Sequence, residues 1–216
     1  MDSQKVADNS KLPEKLLEMH WGEGVRLLPK VIPDKLIEEH FTERADLLPG
    51  SQWKDGWPSL RCFIEVPSLV NIATSGWLMN ALVEFLGTEG ELLSCESSFL
   101  PNTEPWGQEL CGSYPERPSN SVSALVCLED ADPVKAPFQY VPHSHRFTEE
   151  EQSEALECLD SSDETVFRKY QPTRLVFGKG DALIFHPFLL YRLSDLIGCE
   201  ERRILLFRYH GGSKCF

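Results

Sequence analysis

The chain has 216 residues, 41% of them hydrophobic, and a formal net charge of -13, which is long enough for one sizeable core that buries roughly 70% of the unfolded surface. The acidic balance repels nucleic-acid phosphates and anionic membrane surfaces, both of which select clustered Lys and Arg, so neither partner is expected. The seven cysteines are odd in number, scattered and never spaced as CxxC, which argues against a disulfide framework or a structural zinc site and for a reducing compartment.

The opening MDSQKVADNSKLPEK is polar and lacks the apolar centre of a signal peptide, and no apolar run reaches the roughly 18 residues of a membrane span. A cytoplasmic protein is expected. Residues 1–23 read as a polar N-terminal segment with a short helix around Pro13 to Trp21, and residues 24–216 as a single domain. The first part continues helical in IPDKLIEEHF, where Pro33 and Asp34 supply the start and Ile32, Leu36, Ile37 and Phe41 share a face. The clearest helix follows: Trp77, Leu78, Ala81, Leu82, Phe85 and Leu86 have the rhythm of a buried stripe, with Ser75 placed to cap its start and Gly87 its end.

From about Leu92 the texture changes to short strand-like runs between Pro, Gly, Asn and Asp: SVSALVCL, PFQYV, DALIF and RILLFRY. Helices first and strands afterwards, joined by turns, suggest an antiparallel sandwich or jelly roll carrying helices outside. Between two of these strands, Glu149 to Glu164 holds eight acids and no base, the mark of a solvated helix or loop.

The block WGQELCGSYPERPSNSVSALVCLEDADPVKAPFQYVPHSHR resembles the iron-binding core of phytanoyl-CoA dioxygenase-like enzymes, in which HxD opens a strand, an apolar strand follows, and PGSHR comes after a hairpin. KGDALIFHPFLLYRLSD resembles the family's GDxLxF followed by LLHxS, EERRILLFRY its closing arginine-bearing strand, and GVRLLPKVIPDKLIEEH its helical entry. The resemblance runs from about Gly24 to Tyr209 and implies a mainly β fold, a double-stranded β-helix (jelly roll, cupin-like) with N-terminal flanking α-helices.

Family members hold Fe(II) with a His-x-Asp pair and a distal His, leaving three positions for 2-oxoglutarate and dioxygen. The resemblance puts Gly107, Glu109 and Tyr191 at those three positions. Glycine has no side-chain donor, a phenol must first lose a proton of pKa about 10, and only Glu109 is an ordinary ligand. Structural zinc sites draw roughly 10 to 16 kcal/mol from about four ligands, so two lost imidazoles should remove most of the affinity. No histidine lies between His40 and His143 to replace the first. Arg202, eleven residues after Tyr191 and beside Arg203, falls where the family binds a 2-oxoglutarate carboxylate. It reads either as a vestigial anion site or as an arginine paired with an acid.

Three histidines fall elsewhere. His143 and His145 form an HxH pair that would point to one face of a strand, a spacing some metal sites use, against a loop pair with structural hydrogen bonds. His186 reads as a packed or rim histidine. Trp106, Phe188 and Tyr191 could line an apolar cavity.

With no catalytic residue of the family kept, the expected function is a non-catalytic subunit pairing with a metal-competent paralogous dioxygenase, plausibly in terpenoid or other secondary-metabolite biosynthesis. Fe(II) and 2-oxoglutarate then belong to the partner, and no cofactor is expected in this chain. Two alternatives stay open: a metal-independent isomerase or cyclase with Glu109 as base and Tyr191 as acid, or a binding module for an apolar small molecule.

Overall fold

The protein is represented by a computed structural model that describes residues 21–47, 57–58, 66–99, 106–107, 121–130, 138–160, 169–193 and 203–211. Its elements run in the order β1 (Val25–Leu28), α1 (Asp34–Leu47), β2 (Trp57–Pro58), α2 (Pro67–Ala73), α3 (Gly76–Leu86), β3 (Gly90–Phe99), β4 (Ser121–Cys127), β5 (Phe138–Tyr140), α4 (Glu149–Asp160), β6 (Thr173–Leu175), β7 (Ala182–Phe185), β8 (Tyr191–Leu193) and β9 (Arg203–Gly211). Short 3-10 turns occupy Trp21–Glu23 and Ser144–Arg146. All but the last residue of the helix expected from Pro13 to Trp21 lies outside the described residues.

The strands form two antiparallel sheets, one ordered β1-β7-β4-β9-β3-β2 and the other β6-β5-β8. This is the mainly β jelly-roll arrangement with helices to one side. Side chains alternate across a strand, and the large sheet serves two cores. One face, with Val122, Ala124, Val126, Leu205, Phe207 and Tyr209, packs against α1, α2 and α3. The opposite face meets the small sheet through Leu125, Cys127, Leu183, Phe185 and Ile204.

The buried stripe of α3 is as the periodicity predicts, with Leu78, Ala81, Leu82 and Leu86 inside. Gly87 closes the helix in the left-handed conformation, φ 69°, its N–H on the Val83 carbonyl at 2.8 Å, where a residue without Cβ is favoured. Ser75 holds the N-cap position but its hydroxyl makes no capping bond. Two elements differ from expectation. The segment before α1, read as helical, contains the strand β1, because Val25 and Leu27 alternate with Arg26 and Leu28 and pair in register with Phe185 to Ala182. The acidic stretch becomes the helix α4, whose Gln152, Ala155 and Leu159 turn inward while the acids face solvent.

Every residue on one row of the large sheet can be read from the pairing register. Ser94 stands opposite Arg208, Arg208 opposite Ser123, Ser123 opposite Phe185, and Phe185 opposite Val25. Two residues deeper, Leu206, Leu125, Leu183 and Leu27 form the next row, with Glu96 of β3 opposite Leu206. Along the first of these rows the residues pass from Ser94, Arg208 and Ser123 to the apolar Phe185 and Val25.

Candidate functional site

Gly107 and Tyr191 come together. They form an antiparallel bridge in which the Gly107 N–H donates to the Tyr191 carbonyl at 2.9 Å and the Tyr191 N–H to the Gly107 carbonyl at 3.0 Å. Two positions 84 residues apart in the chain, both assigned by the resemblance to ligand histidines, are therefore neighbours in space. A Cβ built on Gly107 meets no atom within 4 Å, so there is room at this position but no donor. Glu109 and Arg202 lie outside the described residues.

The Tyr191 side chain packs into the aromatic wall between the sheets. Its ring stacks on Phe138 at 5.2 Å and 12° and meets Phe185 edge-on at 5.0 Å, geometries that favour aromatic pairs. Directly opposite Tyr191 on β5 is Tyr140, fully buried, whose hydroxyl donates to the Glu23 carboxylate at 2.5 Å. Burial, and then the Glu23 carboxylate, push the Tyr140 phenol well above its ordinary range. It stays protonated and acts as a donor, not as a base.

An iron bound by one face of imidazoles does not fit these residues. Glycine supplies nothing, and the phenol opposite it is engaged in ring stacking; among the described residues no group of three or more His, Cys, Asp or Glu is placed to hold a metal. Of the aromatic side chains considered for a cavity, Tyr191 packs against the core between the two sheets. Trp106 turns to the far side of the small sheet, where it packs with Val141, Leu190 and α4 and carries the Arg192 guanidinium 4.9 Å over its ring. Phe188 packs on His186 with centroids 5.3 Å apart.

The HxH pair does not lie on a strand. His143 sits in a turn at φ 63°, the conformation that suits the glycine of the family pattern, and its side chain is exposed, with Nδ1 donating to the Gly22 carbonyl at 2.8 Å. His145 follows in the 3-10 turn and points inward, its ring 5.2 Å from that of His186. Burial first, and then the neighbouring His186, Arg146 and His143, push His145 down to about 4, and burial lowers His186. The His186 Nδ1 accepts from the Phe188 N–H at 3.2 Å, which fixes its proton on the other nitrogen. These three histidines join the start of β1, the end of β7 and the turn after β5 rather than forming a ligand set.

Sequence reasoning missed Arg208, which lies inside RILLFRY. Its Nη1 donates to the Ser94 hydroxyl at 3.1 Å, and one residue row outward Ser121 Oγ lies 3.4 Å from His210 Nδ1. Strand alternation was the available signal: counting in twos from Ile204 reaches Arg208 on the same face.

Residues 69–192 match the family described as phytanoyl-CoA dioxygenase (PhyH). Among solved structures, the non-heme alpha ketoglutarate dependent carbocyclase SnoK from nogalamycin biosynthesis is similar at TM-score 0.70 and 13% identity, over 93% of this chain and 84% of that one. The epimerase SnoN of the same biosynthesis gives 0.70 and 14%, over 92% and 82%. HygX from Streptomyces hygroscopicus, with nickel and 2-oxoglutarate bound, gives 0.64 and 18%, over 93% and 88%. No curated protein sequence matches.

Proposed function

Because this chain belongs to the phytanoyl-CoA dioxygenase family and yet sets a glycine beside a stacked tyrosine at its centre, we propose that it is a non-catalytic member that pairs with a metal-competent relative. The observation that carries this reading is the bridge between Gly107 and Tyr191. The two positions meet as ligand positions must, but neither brings an imidazole, and the Tyr191 ring is committed to Phe138 and Phe185. Iron and 2-oxoglutarate then act in the partner, and this chain contributes a folded surface that braces it. Such a partner's stability depends on the concentration of its mate, since binding to the folded state alone stabilises it by mass action. The setting we propose is secondary-metabolite biosynthesis, terpenoids included; the carbocyclase and epimerase of nogalamycin biosynthesis share the fold.

The test is native mass spectrometry of the chain purified from its own cells, with metal content read on the same sample. A 1:1 complex with an iron-bearing relative is expected. A lone metal-free chain overturns the reading and directs attention to a metal-independent isomerase or cyclase using Glu109 and Tyr191.

A further inference from the structure

The chain entering β1 is fastened, residue by residue, to the turn after β5 and the turn after β7. The Gly22 carbonyl accepts from His143 Nδ1 at 2.8 Å and the Glu23 carbonyl from the His143 N–H at 3.0 Å. The Glu23 carboxylate accepts from the Tyr140 hydroxyl at 2.5 Å. The Gly24 carbonyl accepts from the His186 N–H at 2.8 Å, and the His145 ring, its Nδ1 shielded from water, lies against the same glycine. Three histidines thus hold three consecutive residues, and none of them belongs to the family's ligand positions.

This fastening requires neutral rings. His186 Nδ1 accepts from the Phe188 N–H at 3.2 Å, so a proton added to the ring goes onto that nitrogen and ends the bond. The turn it loosens carries the N–H that holds Gly24. The His145 and His186 rings are 5.2 Å apart, so charging both sets like charges side by side, with His143 and Arg146 adjoining His145 on its own turn. The acid that faces them from the entering chain, Glu23, has its carboxylate engaged by Tyr140. We infer that Gly22–Gly24 is an acid-released clasp, closed while His145 and His186 are neutral and opened by their protonation before the large sheet comes apart. Release uncovers the hydroxyl of Tyr140, which is fully buried and stands opposite Tyr191, and so admits water to the centre between the sheets. Burial lowers both rings, and His186, Arg146 and His143 add to the effect on His145, which falls to about 4. The clasp is therefore shut above about pH 6.5 and opens as the pH drops toward 4. The device goes beyond the non-catalytic reading and does not rest on it, since it needs neither a metal nor a partner.

The test is residue-resolved amide hydrogen exchange by NMR on the purified chain at about pH 7 and about pH 5, each rate corrected for the intrinsic effect of pH. The His143 and His186 amides close the clasp, and Ala124 and Phe207 lie in the middle strands of the large sheet. The clasp amides are expected to open at least about 10-fold more often than the sheet amides at both pH values. Their protection should fall about 10-fold or more from pH 7 to pH 5, as one imidazole shifted from about 6.5 to about 4 dictates. In His145→Gln the fall should be smaller by about 3-fold or more. Clasp protection that is the same at both pH values, or that equals the protection of the sheet amides, overturns the device, as does an undiminished fall in His145→Gln. If that variant fails to fold by circular dichroism, the first two readings on the unmodified chain decide alone. Pairing with a relative is read by mass spectrometry, so failure of either proposal leaves the other standing.

Discussion

The imidazole of His145 lies over the backbone of Gly24, in the space a side chain at that position would occupy. Gly24 also has φ +92°, a conformation L side chains rarely adopt. Gly24→Ala should therefore destabilise the fold by about 2 kcal/mol or more, through strain and collision together. At Gly22, where a Cβ meets nothing within 4 Å, the same change should have little effect. Urea denaturation of the two variants separates them.

Acid should weaken the fold through the same histidine. His145 is pushed down to about 4 in the folded chain, against about 6.5 when unfolded. Between those values the unfolded chain binds the extra proton, so stability is fully present above about 6.5 and falls as the pH drops toward 4. One such group contributes up to about 1.4 kcal/mol per pH unit, less where solvent reaches the ring. Denaturation at a series of pH values should show a shallower slope in His145→Gln than in the unmodified chain.

Placing the family's donors at these positions should create a metal site. The combination Gly107→His, Glu109→Asp and Tyr191→His is expected to bind Fe(II) at one equivalent under anaerobic calorimetry, where the unmodified chain binds far more weakly. The room at Gly107 makes the first substitution the least disruptive of the three. No gain in affinity would mean that these positions do not correspond to the family's ligand positions.

Tyr209 ties the large sheet to its helical layer. Its buried hydroxyl donates to the Ala73 carbonyl at the end of α2 at 2.8 Å, and burial raises its phenol well above the ordinary range, so it remains a donor throughout the working pH range. Tyr209→Phe leaves that carbonyl without its donor and should cost about 1 to 2 kcal/mol in urea denaturation.

The strands and the α3 helix were legible because their signals are local. Alternation marks SVSALVCL and RILLFRY, and a stripe followed by Gly87 marks α3. β1 was not, since a four-residue strand next to a proline-started helix has too few alternating positions to outweigh the helical context, and its partner β7 is over 150 residues away. The meeting of Gly107 and Tyr191 was reachable only through family resemblance, because their contact is made by backbone atoms that no residue pattern encodes. The HxH pair misled for a related reason. A spacing of two implies a shared face only on a strand, and the left-handed backbone of His143 turns the chain so that its side chain and that of His145 diverge.

The large sheet separates what the two cores must answer for. The helix-facing core draws on α1, α2, α3 and the outer positions of β3, β4, β7 and β9, and neither Gly107 nor Tyr191 belongs to it. Changes at the bridge act on the core between the sheets, on the other side of a continuous hydrogen-bonded layer from the helix-facing packing. The hydrogen-bonded layer thus acts as a partition, behind which the centre can vary in sequence without cost to the helical side of the molecule.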